Sequence, residues 1–265
     1  MDGYCGGFVW EVSASTGLAN IIAGNGSTGY SGDGGPATSA ELYLPGDAAV
    51  DGAGNVYIAD TYNQRIRKIT ASTGIITTVA GVGTAGFNES VLGGTEATNA
   101  ELNYPTGVAV DSAGNIYIAD SGNSLIRKVT ASTGVISTVA GDVTFQRCGH
   151  AGFNICPVLH PGYSGDGGSA VGAELNGPTA VRLDGSGNIY IADAGNDRIR
   201  EVAASSGIIN TVAGNGTIGF SGDGGAATSA EIDINSTGVA TLAIDAAGNL
   251  YIGDVGNYRV RVVGH

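Results

Sequence analysis

The fold of this chain is decided by the stretch from Pro105 to Lys128, PTGVAVDSAGNIYIADSGNSLIRK, because most of it recurs along the sequence. The segment GNIYIAD returns as GNVYIAD, GNIYIAD and GNLYIGD, anchored at Asn55, Asn115, Asn188 and Asn249. These anchors are 60, 73 and 61 residues apart. Self-similarity at a nearly constant spacing predicts a protein built from stacked copies of one supersecondary unit.

Each unit contains four short runs with the alternation and β-branched content of strands. In the second unit they read GVAVD, NIYIAD, LIRKVT and VISTVAG. Turn signals separate them, including D-x-x-G-N from Asp111 to Asn115 and A-S-x-G from Ala131 to Gly134. Four antiparallel strands joined by tight turns predict an all-β fold in which each unit is one blade of a β-propeller.

The pattern P-x-G-V-A-V-D-x-x-G-N-x-Y-I-A-D-x-x-N-x-R-I-R-K, with Leu125 in place of the first Arg, resembles the NHL repeat. This resemblance implies a propeller whose loops bind proteins or other polymers. Units extended by SGDGGPATSAEL resemble arrays of secreted or cell-surface bacterial NHL proteins, which predicts that location. The start of the chain does not read as a signal peptide. Family members usually have six blades, so four units of ~60 residues are a departure.

We predict one propeller domain over residues 1–265, with units at about 25–81, 82–141, 164–214 and 215–265. Phe8–Gly24 aligns without a gap with Arg65–Gly81, the third and fourth strands of a unit. The last unit stops after its third strand. We therefore expect residues 7–24 to close the ring, with Leu18–Ala23 pairing beside Tyr258–Val263, which would hide both sheet edges. The alternative is that the chain is part of a longer array.

Charge and hydropathy narrow the classes of partner. The net charge is −13, which disfavours nucleic acid and anionic membranes because both would repel the chain. No run of 18 apolar residues is present, so membrane insertion is not expected.

Each second strand ends in an aspartate, and an arginine follows five residues later in three units. The pairs are Asp60 and Arg65, Asp193 and Arg198, and Asp254 and Arg259. We predict cross-hairpin ion pairs with a structural role, because a catalytic group is rarely needed once per repeat. In the second unit Leu125 replaces the arginine, so Asp120 is expected to lack this partner.

The second unit is irregular in two further ways. It reads NESVLGG over residues 88–94 where the other units read SGDGG, and it is followed by an insertion over residues 142–163. A single irregular sector in a symmetric scaffold is where we expect a binding site. The predicted binding residues are Phe145, Arg147, His150, Phe153, His160, Tyr163 and Asp120.

The insertion holds a pattern that suits either a metal or a disulfide. Cys148, His150, Cys156 and His160 supply a donor set that suits zinc, although their spacing matches no standard motif. A disulfide between Cys148 and Cys156 is the preferred interpretation, and it leaves Cys5 unpaired. Calcium could bind at Asp33, Asp166 and Asp223 of the SGDGG segments, but turn formation explains these residues better. We expect no cofactor.

Three functions remain open from the sequence. The first is a non-catalytic scaffold that binds a protein or polysaccharide through loops on one face. The second is a metal-dependent lyase or lactonase, as some related propellers are, although inner-strand residues such as Ala48, Val50 and Val108 are small and apolar. The third is a filament formed by strand exchange between the ends of neighbouring chains.

Overall fold

The computed structural model describes residues 7–89, 94–148, 154–235 and 242–264, without the side chains of residues 147, 148, 154 and 155. The described part is built from β-strands and single turns of 3-10 helix, and it contains no helix long and apolar enough to cross a membrane. Its strands are β1 Val9–Val12, β2 Ala19–Ala23, β3 Asp47–Val50, β4 Val56–Asp60, β5 Arg65–Thr70, β6 Ile75–Ala80, β7 Thr95–Glu96, β8 Pro105–Val110, β9 Ile116–Asp120, β10 Leu125–Val129, β11 Val135–Ala140, β12 Val143–Cys148, β13 Asn154–Leu159, β14 Pro178–Leu183, β15 Ile189–Asp193, β16 Arg198–Val202, β17 Ile209–Ala213, β18 Leu242–Ile244, β19 Leu250–Asp254 and β20 Arg259–Val263.

The strands form four antiparallel blades, which confirms the predicted propeller. Blade 1 consists of β3 to β6 and blade 3 of β14 to β17, each in sequential order. Blade 2 runs from β8 to β11 and carries β7 outside β11. Blade 4 contains β18, β19 and β20 among the described residues, so the expectation of four strands in every blade is too regular.

The hydrophobic core is divided among the interfaces between neighbouring blades. One cluster joins Ile66 and Ala80 of blade 1 to Val108 and Ile118 of blade 2. Equivalent clusters lie between blades 2 and 3 and between blades 3 and 4. The sequence produces this arrangement because both faces of a blade are covered, so strands such as IYIAD are buried along their whole length.

Antiparallel pairing brings two kinds of connection to the same end of every blade. The turn after the second strand starts where Asp120 pairs with both Leu125 and Pro105. The fourth strand ends beside it, because Ala140 pairs with Ile126. We call this end the upper face. It carries the turns between second and third strands and the connections from one blade to the next.

The predicted pairing between the two ends of the chain is wrong for the described residues. β1 and β2 pair with each other as a hairpin, and neither is a neighbour of β20 in a sheet. The hairpin packs on blade 1, where Val9 and Ile22 contact the cluster around Leu42 and Ile58. The physical reason is that pairing across a short turn costs little loop-closure entropy, whereas pairing with β20 must close almost the whole chain.

The insertion, predicted as a loop, contains a β-hairpin. β12 and β13 pair in continuous register from Val143 with Leu159 to Cys148 with Asn154. The hairpin leaves the end of β11 and therefore rises at the upper face between blades 2 and 3. Its alternating β-branched residues and its Phe145 explain why a strand pair forms.

Candidate functional site

In blades 1, 2 and 3, a buried arginine on the third strand of the blade organises the upper face. Arg67, Arg127 and Arg200 have fully buried side chains, and each lies within 3.4 Å of the aspartate that ends the second strand of its blade. In blade 1, the guanidinium of Arg67 also donates from Nε and Nη2 to Asp33 Oδ1, at 2.9 and 2.6 Å. Arg67 thus joins the blade to the SGDGG loop.

The second-strand aspartate has a full set of donors. Asp60 Oδ1 accepts the backbone N–H of Tyr43 at 2.8 Å, and Oδ2 accepts Asn63 Nδ2 at 2.8 Å and Arg67 Nη1 at 3.2 Å. The same bonds recur at Asp120 and Asp193. This repetition shows that the cluster holds the upper-face turns in place within each blade.

These contacts correct the predicted ion pairs. The partner of each aspartate is the arginine seven residues later, so Asp60, Asp193 and Asp254 face Arg67, Arg200 and Arg261. Arg65 instead lies 3.6 Å from the centre of the Tyr30 ring and donates to the Val82 carbonyl. Arg198 and Arg259 lie over Tyr163 and Phe220 in the same way. Arg65 and Arg67 are two residues apart, so their side chains lie on the same face of β5. Of the two, Arg67 reaches the buried carboxylate of Asp60.

Asp120 has not lost its partner, because Arg127 lies 3.3 Å from it. Its carboxylate is also fully buried, so the structure contradicts its proposed binding role. The missing SGDGG aspartate is replaced by Glu89, which lies 3.2 Å from Arg127 and accepts the Thr138 hydroxyl at 2.6 Å. The contact between Arg127 and Glu89 is an ion pair without hydrogen-bond alignment, since Nη2 of Arg127 makes no hydrogen bond.

Leu125 is explained by the insertion. In blades 1 and 3, the arginine at this position donates to the carbonyl that follows the glycine after the fourth strand, Val82 or Asn215. In blade 2 that carbonyl belongs to Asp142, and it accepts the His160 N–H at 3.2 Å. Because the hairpin satisfies this carbonyl, an arginine is not needed there, and Leu125 is buried instead.

Burial changes the acidity of these aspartates. Burial raises the pKa of Asp120 to about 6 against the opposing charge of Arg127 and the hydrogen bonds from Asn103 and Asn123. Burial raises the pKa of Asp193 to about 6 in the same way, and it raises the pKa of Asp60. At Asp33 burial also opposes ionisation, but hydrogen bonds from Thr78 and the charge of Arg67 outweigh it, so its pKa is lowered.

We expect the protein to be most stable in mildly acidic solution. A carboxyl whose pKa is raised by folding contributes stability that is present below its unfolded pKa and is lost as the pH rises through about 6. Acidification from about pH 7 to about pH 5 should raise the free energy of unfolding by on the order of 1 to 3 kcal/mol. Calorimetric Tm values across this range would measure it. A Tm that rises steadily from acid to neutral pH would contradict the assignment.

Asp47 and Arg182 form an ion pair between inner strands that the sequence reasoning missed. Arg182 Nη1 donates to Asp47 Oδ2 at 2.7 Å and Nη2 to Oδ1 at 3.1 Å, which joins blade 3 to blade 1. Asp47 also accepts the Val108 N–H of blade 2. Alignment of the repeats contained the signal, because Arg182 stands where the other units have Ala49, Ala109 and Ala243. The inner strands are thus less uniformly apolar than expected.

The predicted binding residues of the insertion that the structure describes differ in exposure and in their partners. Phe145 is 41% exposed on β12, whereas His160 is half-buried beside Thr144, with its Nε2 at 2.8 Å from the hydroxyl. Tyr163 belongs to the repeat and not to the insertion. Its hydroxyl donates to Asp166 as Tyr30 does to Asp33, and its ring lies under Arg198. His150, Phe153 and the side chain of Arg147 lie outside the described residues.

Cys156 forms a disulfide, which removes its sulfur from the predicted zinc ligands. The side chain of its partner cysteine lies outside the described residues. Within the described ranges, no three His, Cys, Asp or Glu side chains are grouped so as to hold a metal ion. The SGDGG aspartates Asp33, Asp166 and Asp223 are each ion-paired with an arginine.

These features define a β-propeller whose blades repeat one charge cluster. The NHL repeat family matches residues 42–69 and 102–129, so the chain is a β-propeller that carries NHL repeats. Protein SUPPRESSOR OF QUENCHING 1, chloroplastic, of Arabidopsis thaliana is 29% identical over 203 residues, covering 75% of this chain and 17% of that protein. Teneurin-4 of Mus musculus is 30% identical over 249 residues, covering 88% of this chain and 8% of that protein.

Among solved structures, a structural genomics protein of unknown function from Bacteroides thetaiotaomicron has a similar fold. The TM-score is 0.58 at 18% identity, covering 96% of this chain and 53% of that chain. This likeness concerns the fold alone. The chain spans less than a fifth of the length of the two curated relatives named above.

Proposed function

We propose that this propeller is a non-catalytic binding protein that recognises a protein partner through its upper face. The observation that supports the proposal is the hairpin of β12 and β13, which interrupts an otherwise repeated scaffold and carries the exposed Phe145. Exposed aromatic residues contribute strongly to protein interfaces because they bury a large area at low entropic cost. The disulfide at Cys156 supports a secreted or cell-surface location, since disulfides persist in oxidising compartments.

The short connection that follows blade 3 provides a template for removing the hairpin that follows blade 2. Blade 3 continues from Gly214 to Gly219 through residues 215–218, Asn-Gly-Thr-Ile, and blade 2 continues from Gly141 to Gly162 through the insertion. Replacing residues 142–161 with Asn-Gly-Thr-Ile, together with Leu125→Arg, should give a regular and folded propeller. Peptides selected on the native chain from a random phage-displayed library should lose at least about tenfold in affinity for this variant.

The matched control is the Thr144→Val variant, which changes the same hairpin at a residue beside His160 and leaves Phe145 in place. We expect this variant to keep the affinity of the native chain, and Phe145→Ser to lose part of it. Selected peptides that bind the regularised variant as tightly as the native chain would overturn the assignment of the hairpin as the recognition element.

Self-association is a second candidate, supported by the exposed edge of β20 in blade 4. Val260 and Val262 on β20 are 72% and 56% exposed, and a groove of about 830 Å³ runs beside them from Phe220 to Gly264. In blades 1 to 3 the fourth strand lies at this position, so an extended segment would fit there by strand addition. Light scattering over a range of protein concentrations distinguishes this candidate from a monomeric binding protein.

A further inference from the structure

Three tyrosines form a cluster on the upper face at the junction of blades 1 and 2. The ring centres of Tyr43 and Tyr62 are 5.0 Å apart with the planes tilted by 35°. Those of Tyr62 and Tyr104 are 5.2 Å apart with the planes at 83°. Tyr62 and Tyr104 are 45% and 44% exposed. The rings therefore form an open corner in which the face of one ring meets the edge of another.

The repeats show that this cluster is a coordinated departure from the scaffold. The backbone bond from Tyr62 N–H to the Tyr43 carbonyl recurs from Gly122 to Asn103 and from Gly195 to Asn176. In those blades a Cβ on the glycine would lie 2.5 or 2.6 Å from the asparagine Cγ, so a larger residue there would require the asparagine side chain to move. In blade 1 both positions are tyrosine, and the ring of Tyr43 packs against that of Tyr62.

Tyr104 is held in a conformation that an aromatic residue rarely adopts. Its φ is +47°, and the equivalent residues, Leu44 of blade 1 and Gly177 of blade 3, also have positive φ values of +46° and +52°. The Tyr104 N–H donates to Gln64 Oε1 of blade 1 at 2.5 Å, which fixes the residue against the neighbouring blade. The positive φ is therefore a feature of the repeat, and blade 2 uses this position to place an exposed tyrosine ring beside that of Tyr62.

We infer that the tyrosine corner of Tyr43, Tyr62 and Tyr104 binds a proline-rich peptide with basic flanking residues. Proline-rich segments adopt the polyproline II helix, which has no internal hydrogen bonds and packs its rings on aromatic surfaces at low entropic cost. The tyrosine hydroxyls are suited to donate to its exposed carbonyls. Rings at 83° form a notch and not the flat platform that would suit a sugar ring. The net charge of −13 favours arginine or lysine beside the prolines.

This inference rests on the proposed protein-binding function but uses a different part of the upper face from the hairpin. The probe is a fluorescein-labelled proline-rich peptide ending in two arginines, measured by fluorescence anisotropy against the full chain. The double variant Tyr43→Asn with Tyr62→Gly recreates the pair that blades 2 and 3 already contain, so it should fold. We expect it to weaken binding of the peptide at least about tenfold.

The Tyr104→Gly variant tests whether Tyr104 contributes to peptide binding or only to the stability of the fold. The substitution relieves the positive φ, so we expect an unchanged or higher Tm together with weaker peptide binding, a combination that a purely structural tyrosine would not give. Unchanged affinity in both variants, no binding of the peptide, or binding of a neutral oligosaccharide in its place would each overturn the inference. The hairpin proposal would survive these outcomes if the phage-selected peptides still distinguish the native chain from the regularised variant.

Discussion

Replacing Arg200 with leucine is expected to lower the free energy of unfolding by about 3 to 5 kcal/mol. Arg200 and Asp193 are both fully buried and lie 3.4 Å apart, so the substitution leaves a carboxylate without its cation in a region that excludes water. The loss also releases the Ser164 carbonyl and Asp166, which Arg200 Nη2 contacts at 3.0 and 2.6 Å. Urea unfolding followed by circular dichroism measures the difference.

The matched control is Arg198→Leu on the same strand. Arg198 stacks on Tyr163 and donates to two carbonyls, but among the described residues it makes no ion pair with the aspartate that ends the second strand. Blade 3 has no hairpin to satisfy the Asn215 carbonyl as His160 satisfies that of Asp142, so we expect the lost hydrogen bonds to cost about 1 to 2 kcal/mol. If Arg198→Leu destabilised the protein more than Arg200→Leu, the arginine five residues after the aspartate would be its effective partner and our assignment would be wrong.

The wrong ion pairs show what strand alternation can and cannot decide. Alternation places Arg65 and Arg67 on one face of β5, and it does not say which reaches Asp60. An alignment of the four units identifies the partner of the aspartate. The position of Arg67 is arginine in all four units, whereas the position of Arg65 is leucine in the second unit. A buried carboxylate that recurs in every blade requires a cation that recurs with it. Comparison of equivalent positions among the four units therefore identifies the ion-pair partner better than residue spacing within one hairpin.

The sequence predicted the blades well because each is formed by local hairpins. It failed where contacts depend on the relative position of distant units. Arg182 of blade 3 forms an ion pair with Asp47 of blade 1. Tyr104 of blade 2 is held beside Tyr62 of blade 1 by the hydrogen bond from its N–H to Gln64. Neither contact follows from the pattern of one repeat. The hairpin of β12 and β13 was missed because its sequence has no equivalent in the other units. The N-terminal hairpin kept its local pairing because a short turn competes strongly with closure over the whole chain.

Gly81→Ala is expected to destabilise the protein by about 3 to 5 kcal/mol, since a positive φ and an unrelieved overlap act together. Gly81 follows β6 with φ +92°, next to a bulge at which β6 shifts its register against β5. A Cβ there would overlap the carbonyl oxygen of Gln64. Because the obstacle is backbone, no change of rotamer can remove it, and the third and fourth strands must separate at the upper face.

Gly74 is the matched control, because it lies just before the other end of the same strand. Its φ is +67°, and a Cβ there would meet no atom within 4 Å. Gly74→Ala should therefore show the conformational cost alone, about 1 kcal/mol. Chemical denaturation of both variants separates the two contributions. Equal losses would mean that β5 and β6 can move apart at the upper face without strain, and that the glycine after the fourth strand is not required for close strand packing.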